Sequence, residues 1–180
     1  MLLSYQECMN IYRTDYQLDK QLECGNLYKI EKGIYSDQKN VSEIDIISLK
    51  YPRAVFTLNS AFYFYSFTDV IPDKYMLATD RDSAKIKDQR ITQIFCPKSS
   101  LEIGKISMNY ANSEINIYNK ERLLIELVRY KDKFPFDYYK EIILAYRNRI
   151  MDMNIELIQD YAEKFPKRNK ILDMIQAEVF

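Results

Sequence analysis

The sequence predicts an α+β protein in two parts. A small N-terminal winged helix-turn-helix is expected over residues 1–38, followed by a mixed α/β domain over residues 39–180. The second part should hold helices and a short antiparallel sheet to about residue 118, and be helical from about residue 119. Three observations lead there. Apolar side chains recur twice at helical spacing before Gly25 and then at strand spacing. Alternating runs recur between Tyr75 and Tyr118. Four apolar stripes with three- and four-residue spacing fill the last third.

In the first stretch, Tyr5, Cys8, Met9 and Tyr12 share one helical face. Thr14 or Asp15 can cap the next helix, because a short side-chain acceptor satisfies an orphan backbone N–H. Leu18 and Leu22 form its inner face and Gly25 its stop. Leu27, Tyr28 and Ile30, then Ile34 and Tyr35, read as two strands around Lys32-Gly33. Helix, turn, helix and hairpin in that order is the winged helix-turn-helix arrangement. Tyr16, Gln17, Lys20 and Gln21 face outward on the second helix, and Lys29 and Lys32 decorate the hairpin. Glutamine and tyrosine suit base edges and phosphates, and lysine suits phosphates, so these six residues are the candidate DNA contacts. Asp19 and Glu23 on the same helix oppose phosphate.

Asp37-Gln38-Lys39-Asn40 reads as a boundary, and Val41 to Leu49 as a helix ended by Tyr51-Pro52. The run from Ala54 to Phe67 is apolar on all sides, so it predicts a helix buried on all sides. At about 14 residues it is shorter than the roughly 20 that a membrane span needs. Ile71-Pro72-Asp73 breaks the run. Tyr75–Thr79 and Ile91–Cys96 predict strands, with a solvated turn or helix at Ser83–Arg90 between them. Ile103–Tyr110 and Glu114–Tyr118 predict paired strands joined at Ala111-Asn112-Ser113. Four helices follow. Their stripes are Leu123/Leu124/Leu127/Val128, Ile142/Ile143/Tyr146, Leu157/Ile158/Tyr161/Ala162/Phe165 and Ile171/Leu172/Ile175/Val179.

Composition removes much chemistry. The 180 residues contain no histidine, which takes away the commonest general base and zinc ligand. Basic and acidic side chains balance at 26 each, and residues 1–39 carry five basic against six acidic groups. A strongly basic nucleic-acid footprint is therefore missing. Cys8, Cys24 and Cys96 are odd in number and widely spaced, as for free thiols in a reducing cytoplasm. No signal peptide is visible. The three glycines are too far apart for a phosphate loop. Asp80 and Asp82 could hold a divalent cation, but Arg81 between them favours a local ion-pair cluster. Tyr138-Tyr139 could stack on bases, although a core role is the plainer reading. No catalytic residue, metal or cofactor is expected.

Three stretches resemble the AbiEi-like family, the antitoxin components of type IV toxin–antitoxin and abortive-infection systems. They are LYKIEKGIYS (Leu27–Ser36), AVFTLNSAFYFYSFTD with DKYMLATDR (Ala54–Asp69 and Asp73–Arg81), and INIYNKERLLIELVRYKDKFPFDYYKEIILAYRNR (Ile115–Arg149). The last is similar to the family's "ser-x-glu-arg-thr-leu" helix and the helix after it. The resemblance implies a winged-helix end that binds inverted repeats in the promoter of its own operon, making the protein an autorepressor. It implies a C-terminal domain that neutralises a nucleotidyltransferase-like toxin, often without a stable complex, and a cytoplasmic role in phage defence with no membrane partner. The sequence departs from the family pattern in its net-acidic N-terminal module and in having only three residues before Ser4, too few for a helix. The alternative expectation is an antitoxin that works by protein contact alone.

Overall fold

The computed structural model describes residues 1–111 and 113–180, so the turn expected at Ala111-Asn112-Ser113 lies partly outside the described residues. The chain divides into two compact units: Met1–Pro52 with Asn109–Ile115, and Arg53–Met108 with Asn116–Phe180.

The first unit opens with β1 (Leu2–Ser4) and continues through α1 (Tyr5–Tyr12), α2 (Asp15–Glu23), β2 (Tyr28–Glu31), β3 (Ile34–Ser36) and α3 (Glu43–Lys50). Ser4 ends β1 and caps α1: its Oγ accepts from the Glu7 N–H while the Glu7 carboxylate accepts from the Ser4 N–H, a capping box. Arg13, left-handed at φ 68°, ends α1, and Thr14 Oγ1 then accepts from the Gln17 N–H to start α2. Leu3, Cys8, Leu18, Leu27 and Tyr35 form the core, with Met9, Tyr12 and Leu22 packed against it. β3 lies between β1 and β2 and is antiparallel to both. β1 is an addition to the expected elements, drawn in by the buried side chain of Leu3. Beyond the 1–38 boundary, α3 packs against β1 and Lys50 pairs with Glu31 at 3.0 Å, so this unit runs on to Pro52.

The second unit is built on a five-stranded sheet in the order β6-β5-β4-β8-β7. Its strands are β4 (Val55–Phe56), β5 (Tyr75–Asp80), β6 (Ile91–Cys96), β7 (Lys105–Tyr110) and β8 (Ser113–Tyr118); the residues 109–115 of the last two group with the first unit. The expected antiparallel sheet is mixed. β4 is antiparallel to β5 but parallel to β8, and β5 is parallel to β6. The cause lies in residues 81–90, which form no helix and carry the chain back so that Tyr75 faces Ile91. Gln93 pins this crossover, donating to Thr79 Oγ1 (2.8 Å) and the Ala84 carbonyl (3.2 Å) and accepting from the Ile86 N–H (2.8 Å).

The single buried helix expected over Ala54–Phe67 is two elements, β4 and then α4 (Leu58–Phe64). Burial holds for most of the run: Ala54, Val55, Phe56, Leu58, Ala61, Phe62, Phe64 and Phe67 belong to the core, while Asn59, Tyr63 and Tyr65 are half-buried and Ser66 is exposed. The period fails because neighbouring strands claim the backbone. The Thr57 N–H donates to the Met76 carbonyl at 3.0 Å, Ser60 Oγ accepts from the Met76 N–H at 2.8 Å, and Leu58 turns left-handed at φ 46°. Arg149 closes the far end by donating to the Tyr65 and Ser66 carbonyls at 2.7 and 2.8 Å.

α5 (Lys98–Leu101) is a single turn after Pro97, and the helical third comprises α6 (Lys120–Arg129), α7 (Phe136–Arg147), α8 (Ile155–Ala162) and α9 (Arg168–Glu178). The apolar stripes read from the sequence face inward on all four, and α6 packs against both α8 and α9.

Candidate functional site

The sequence-derived DNA-contact residues sit on two elements of the first unit. Leu18 is the one buried residue of α2 among the described residues, Gln21 and Leu22 are half-buried, and the others are exposed. Tyr16 is 73% exposed, and Gln17 and Lys20 are exposed beside it. Lys29 on β2 and Lys32 in the β2–β3 turn are exposed as well. The side chains of these five make no hydrogen bond or ion pair among the described residues. Gln21 differs. It is half-buried, its Oε1 accepts from Asn26 Nδ2 at 3.1 Å, and its carbonyl accepts the N–H groups of Asn26 and Leu27. Gln21 thus belongs to the turn that ends α2, where Gly25 takes φ +71°.

Two features orient α2. Tyr5 donates its hydroxyl proton to Asp15 Oδ1 at 2.8 Å, tying α1 to the first turn of α2; that hydrogen bond to a carboxylate raises the phenol's pKa. Gly33, at φ +78°, shapes the hairpin tip and accepts from the Tyr5 N–H at 2.9 Å, which holds the tip against the start of α1. The electrostatics run the other way from a phosphate reader. α2 carries Asp15, Asp19 and Glu23 against Lys20, so its exposed surface is acidic overall.

Sequence reasoning missed the most highly organised polar group, which lies in the second unit. Arg122 is 1% exposed, and its guanidinium is sandwiched between the rings of Tyr118 (4.5 Å) and Phe165 (4.2 Å). It donates to Glu126 Oε1 from Nε at 2.9 Å and from Nη2 at 2.6 Å, and to the Ser100 carbonyl from Nη1 at 3.0 Å. Arg129 adds a second donor to the same Glu126 oxygen at 2.9 Å and stacks on Phe165 at 4.5 Å. Tyr118 donates to the Leu101 carbonyl, and burial drives its pKa far up; burial likewise raises the Cys96 thiol beside it. A cation this deep needs a carboxylate and hydrogen bonds on every side, and it has both. One signal existed: Ile125 lies away from the Leu123/Leu124/Leu127/Val128 stripe, on the side of the helix that also carries Arg122 and Glu126.

Other candidates resolve into structure. Asp80 Oδ1 accepts from the Asp82 N–H at 3.2 Å, a local turn, and no group of three or more cysteine or carboxylate side chains converges among the described residues. Tyr139 is buried and donates to Glu178 at 2.7 Å, while Tyr138 stacks on Phe134 with centroids 5.9 Å apart. Tyr139 is a core residue, and Tyr138 is half-buried against Phe134. No helix of the described residues is long and apolar enough to cross a membrane. No protein-family model matches the chain, and no curated protein matches it in sequence.

Proposed function

We propose that this protein is the antitoxin of a type IV toxin–antitoxin system: it counteracts a nucleotidyltransferase-like toxin and represses its own operon by binding promoter DNA through the first unit. The observation that carries the reading is the topology of that unit. A helix pair is framed by a three-stranded sheet in the order β1-β3-β2, with β2 and β3 as the hairpin, and this supports a winged helix-turn-helix. α2 is then the reading helix, with Tyr16, Gln17 and Lys20 toward the bases, Gln21 setting its end, and Lys29 and Lys32 on the wing meeting phosphates. The free thiols Cys8, Cys24 and Cys96 fit work in a reducing cytoplasm.

The test is binding of the purified protein to its own promoter fragment and to an unrelated fragment across a salt series. The expected result is preference for the promoter that weakens steeply with salt. Removing Lys29 and Lys32 together should flatten the salt slope by about two, at roughly 0.9 per phosphate contact. Equal binding to both fragments at low salt would remove DNA from the reading. Rescue of growth when the toxin is co-expressed tests the antitoxin role separately.

A second reading, neutralisation by protein contact without DNA, draws on one observation. The three carboxylates of α2 repel phosphate but would welcome a basic protein surface. A stable complex that survives co-purification with the toxin, together with no promoter preference, would favour it.

A further inference from the structure

The outward flank of α7 carries an apolar and cationic stripe that the functional reading does not use. Phe136, Lys140 and Leu144 recur every four residues and Arg147 follows, so all four share one side of the helix. Phe136 and Leu144 are 65% and 56% exposed, two large apolar side chains about 12 Å apart along the axis. Lys140 Nζ stands 4.3 Å from the centre of the Phe136 ring, leaving the Leu144 end open. There Tyr139, Ile143 and Leu144 meet Glu178 of α9 around a groove of about 440 Å³.

The charge of this groove is defined by who is already engaged. Glu178 is neutralised from within: Lys131 Nζ donates to it at 2.6 Å and Tyr139 at 2.7 Å. Arg147 gives only Nε, to the Glu178 carbonyl at 2.7 Å, so its two terminal nitrogens have no partner among the described residues. Lys140 has no carboxylate partner among them either. Asp137 and Glu141 belong to α7 but do not line the groove. What remains is an apolar trough whose lining carries two cations, Lys140 and Arg147, against one carboxylate, Glu178, which Lys131 already pairs with.

We propose that this groove docks a helical segment of a partner protein whose apolar residues are flanked by carboxylates. The apolar floor selects against nucleic acid, which presents phosphate rather than carbon to a protein surface. Tyr139, Ile143 and Leu144 give the groove an apolar floor along α7, as a helix-in-groove site needs, and Lys140 and Arg147 set the sign of the flanking charge.

The test uses fluorescence polarisation with the full chain and a labelled amphipathic helical peptide carrying leucines at i, i+4 and i+7 with glutamates between them. A peptide with lysines in place of the glutamates is the control. The glutamate peptide should bind and the lysine peptide should not. The Lys140→Glu/Arg147→Glu double variant should weaken binding about tenfold, as expected for two rim charges reversed, and Leu144→Glu by at least as much. Both variants change exposed side chains, so an unchanged thermal transition shows that they fold. Equal binding of both peptides, unchanged affinity in the double variant, or no binding of the glutamate peptide would each overturn the proposal. So would self-association lost in Leu144→Glu, which assigns the groove to a second copy, or binding to phosphatidylglycerol vesicles without peptide binding, which assigns it to lipid.

Discussion

α2 and α6 are of nearly equal length, nine and ten residues, and each carries charges of both signs, yet they are opposite kinds of helix. α2 buries Leu18 alone. α6 buries every residue from Arg122 to Val128. The charges of α2 lie at the surface, with Asp15 accepting from the Tyr5 hydroxyl. In α6, Arg122, Glu126 and Arg129 are parts of the scaffold, where the Glu126 carboxylate holds both arginines. The difference teaches that a charge in a sequence has no function until its surroundings are known. An arginine four residues before a glutamate is worth a few tenths of a kcal/mol on a surface, whereas removing one partner of a buried pair costs several.

The comparison breaks most decisively at Glu126. Glu126→Ala leaves Arg122 buried without its carboxylate and should destabilise the protein by about 3–5 kcal/mol in urea unfolding; a change below about 1 kcal/mol would mean that α6 is no scaffold after all. Gly104→Ala comes next. The new methyl would lie 2.5 Å from Arg122 Cβ and 2.8 Å from Asn119 Oδ1, at a residue with φ +72°. Overpacking of that kind costs about 1–3 kcal/mol, read as a lowered Tm.

Glu178 stands between the two extremes, half-buried and ion-paired. Burial opposes its ionisation, but the hydrogen bonds from Lys131 and Tyr139 outweigh burial and hold its carboxyl below the ordinary value. A carboxyl depressed in the folded state adds stability above its unfolded pKa and loses it as pH falls through the folded one. Tm measured from neutral pH down through the carboxylate range should therefore fall more steeply for the wild type than for Glu178→Gln. The smallest effect belongs to α2: Lys20→Ala should change stability by no more than about 0.5 kcal/mol. A larger loss would show that the exposed helix is structural.

The elements that were legible in the sequence are those with a period. α1, α2, β2, β3 and the four C-terminal helices show one, and their caps at Thr14 and stops at Gly25 carry their own side-chain chemistry. β1 is three residues long, too short for alternation to register. Ala54–Phe67 is apolar at every face, and a pattern without contrast cannot distinguish strand from helix; backbone bonds to Met76 made that choice. The parallel pairing of β5 and β6 depends on Gln93 gripping a loop, a tertiary event with no local signature. Of the candidate site, exposure was readable for Tyr16, Gln17, Lys20, Lys29 and Lys32. Gln21 was not, because its role depends on Asn26 beyond the helix end.

The position of β4 also has a consequence for how the chain is made. This two-residue strand meets β5 on one side, but on the other it waits for β8, where Phe56 pairs with Ile117. At about 5–20 residues per second, a ribosome needs several seconds to deliver that partner. Throughout that interval the nascent chain carries an open apolar edge at Val55-Phe56, the kind of surface on which one polypeptide captures another. Polysome crowding and fast elongation rates therefore bear on the yield of this protein through a single pair of residues, long before its own stability is at issue.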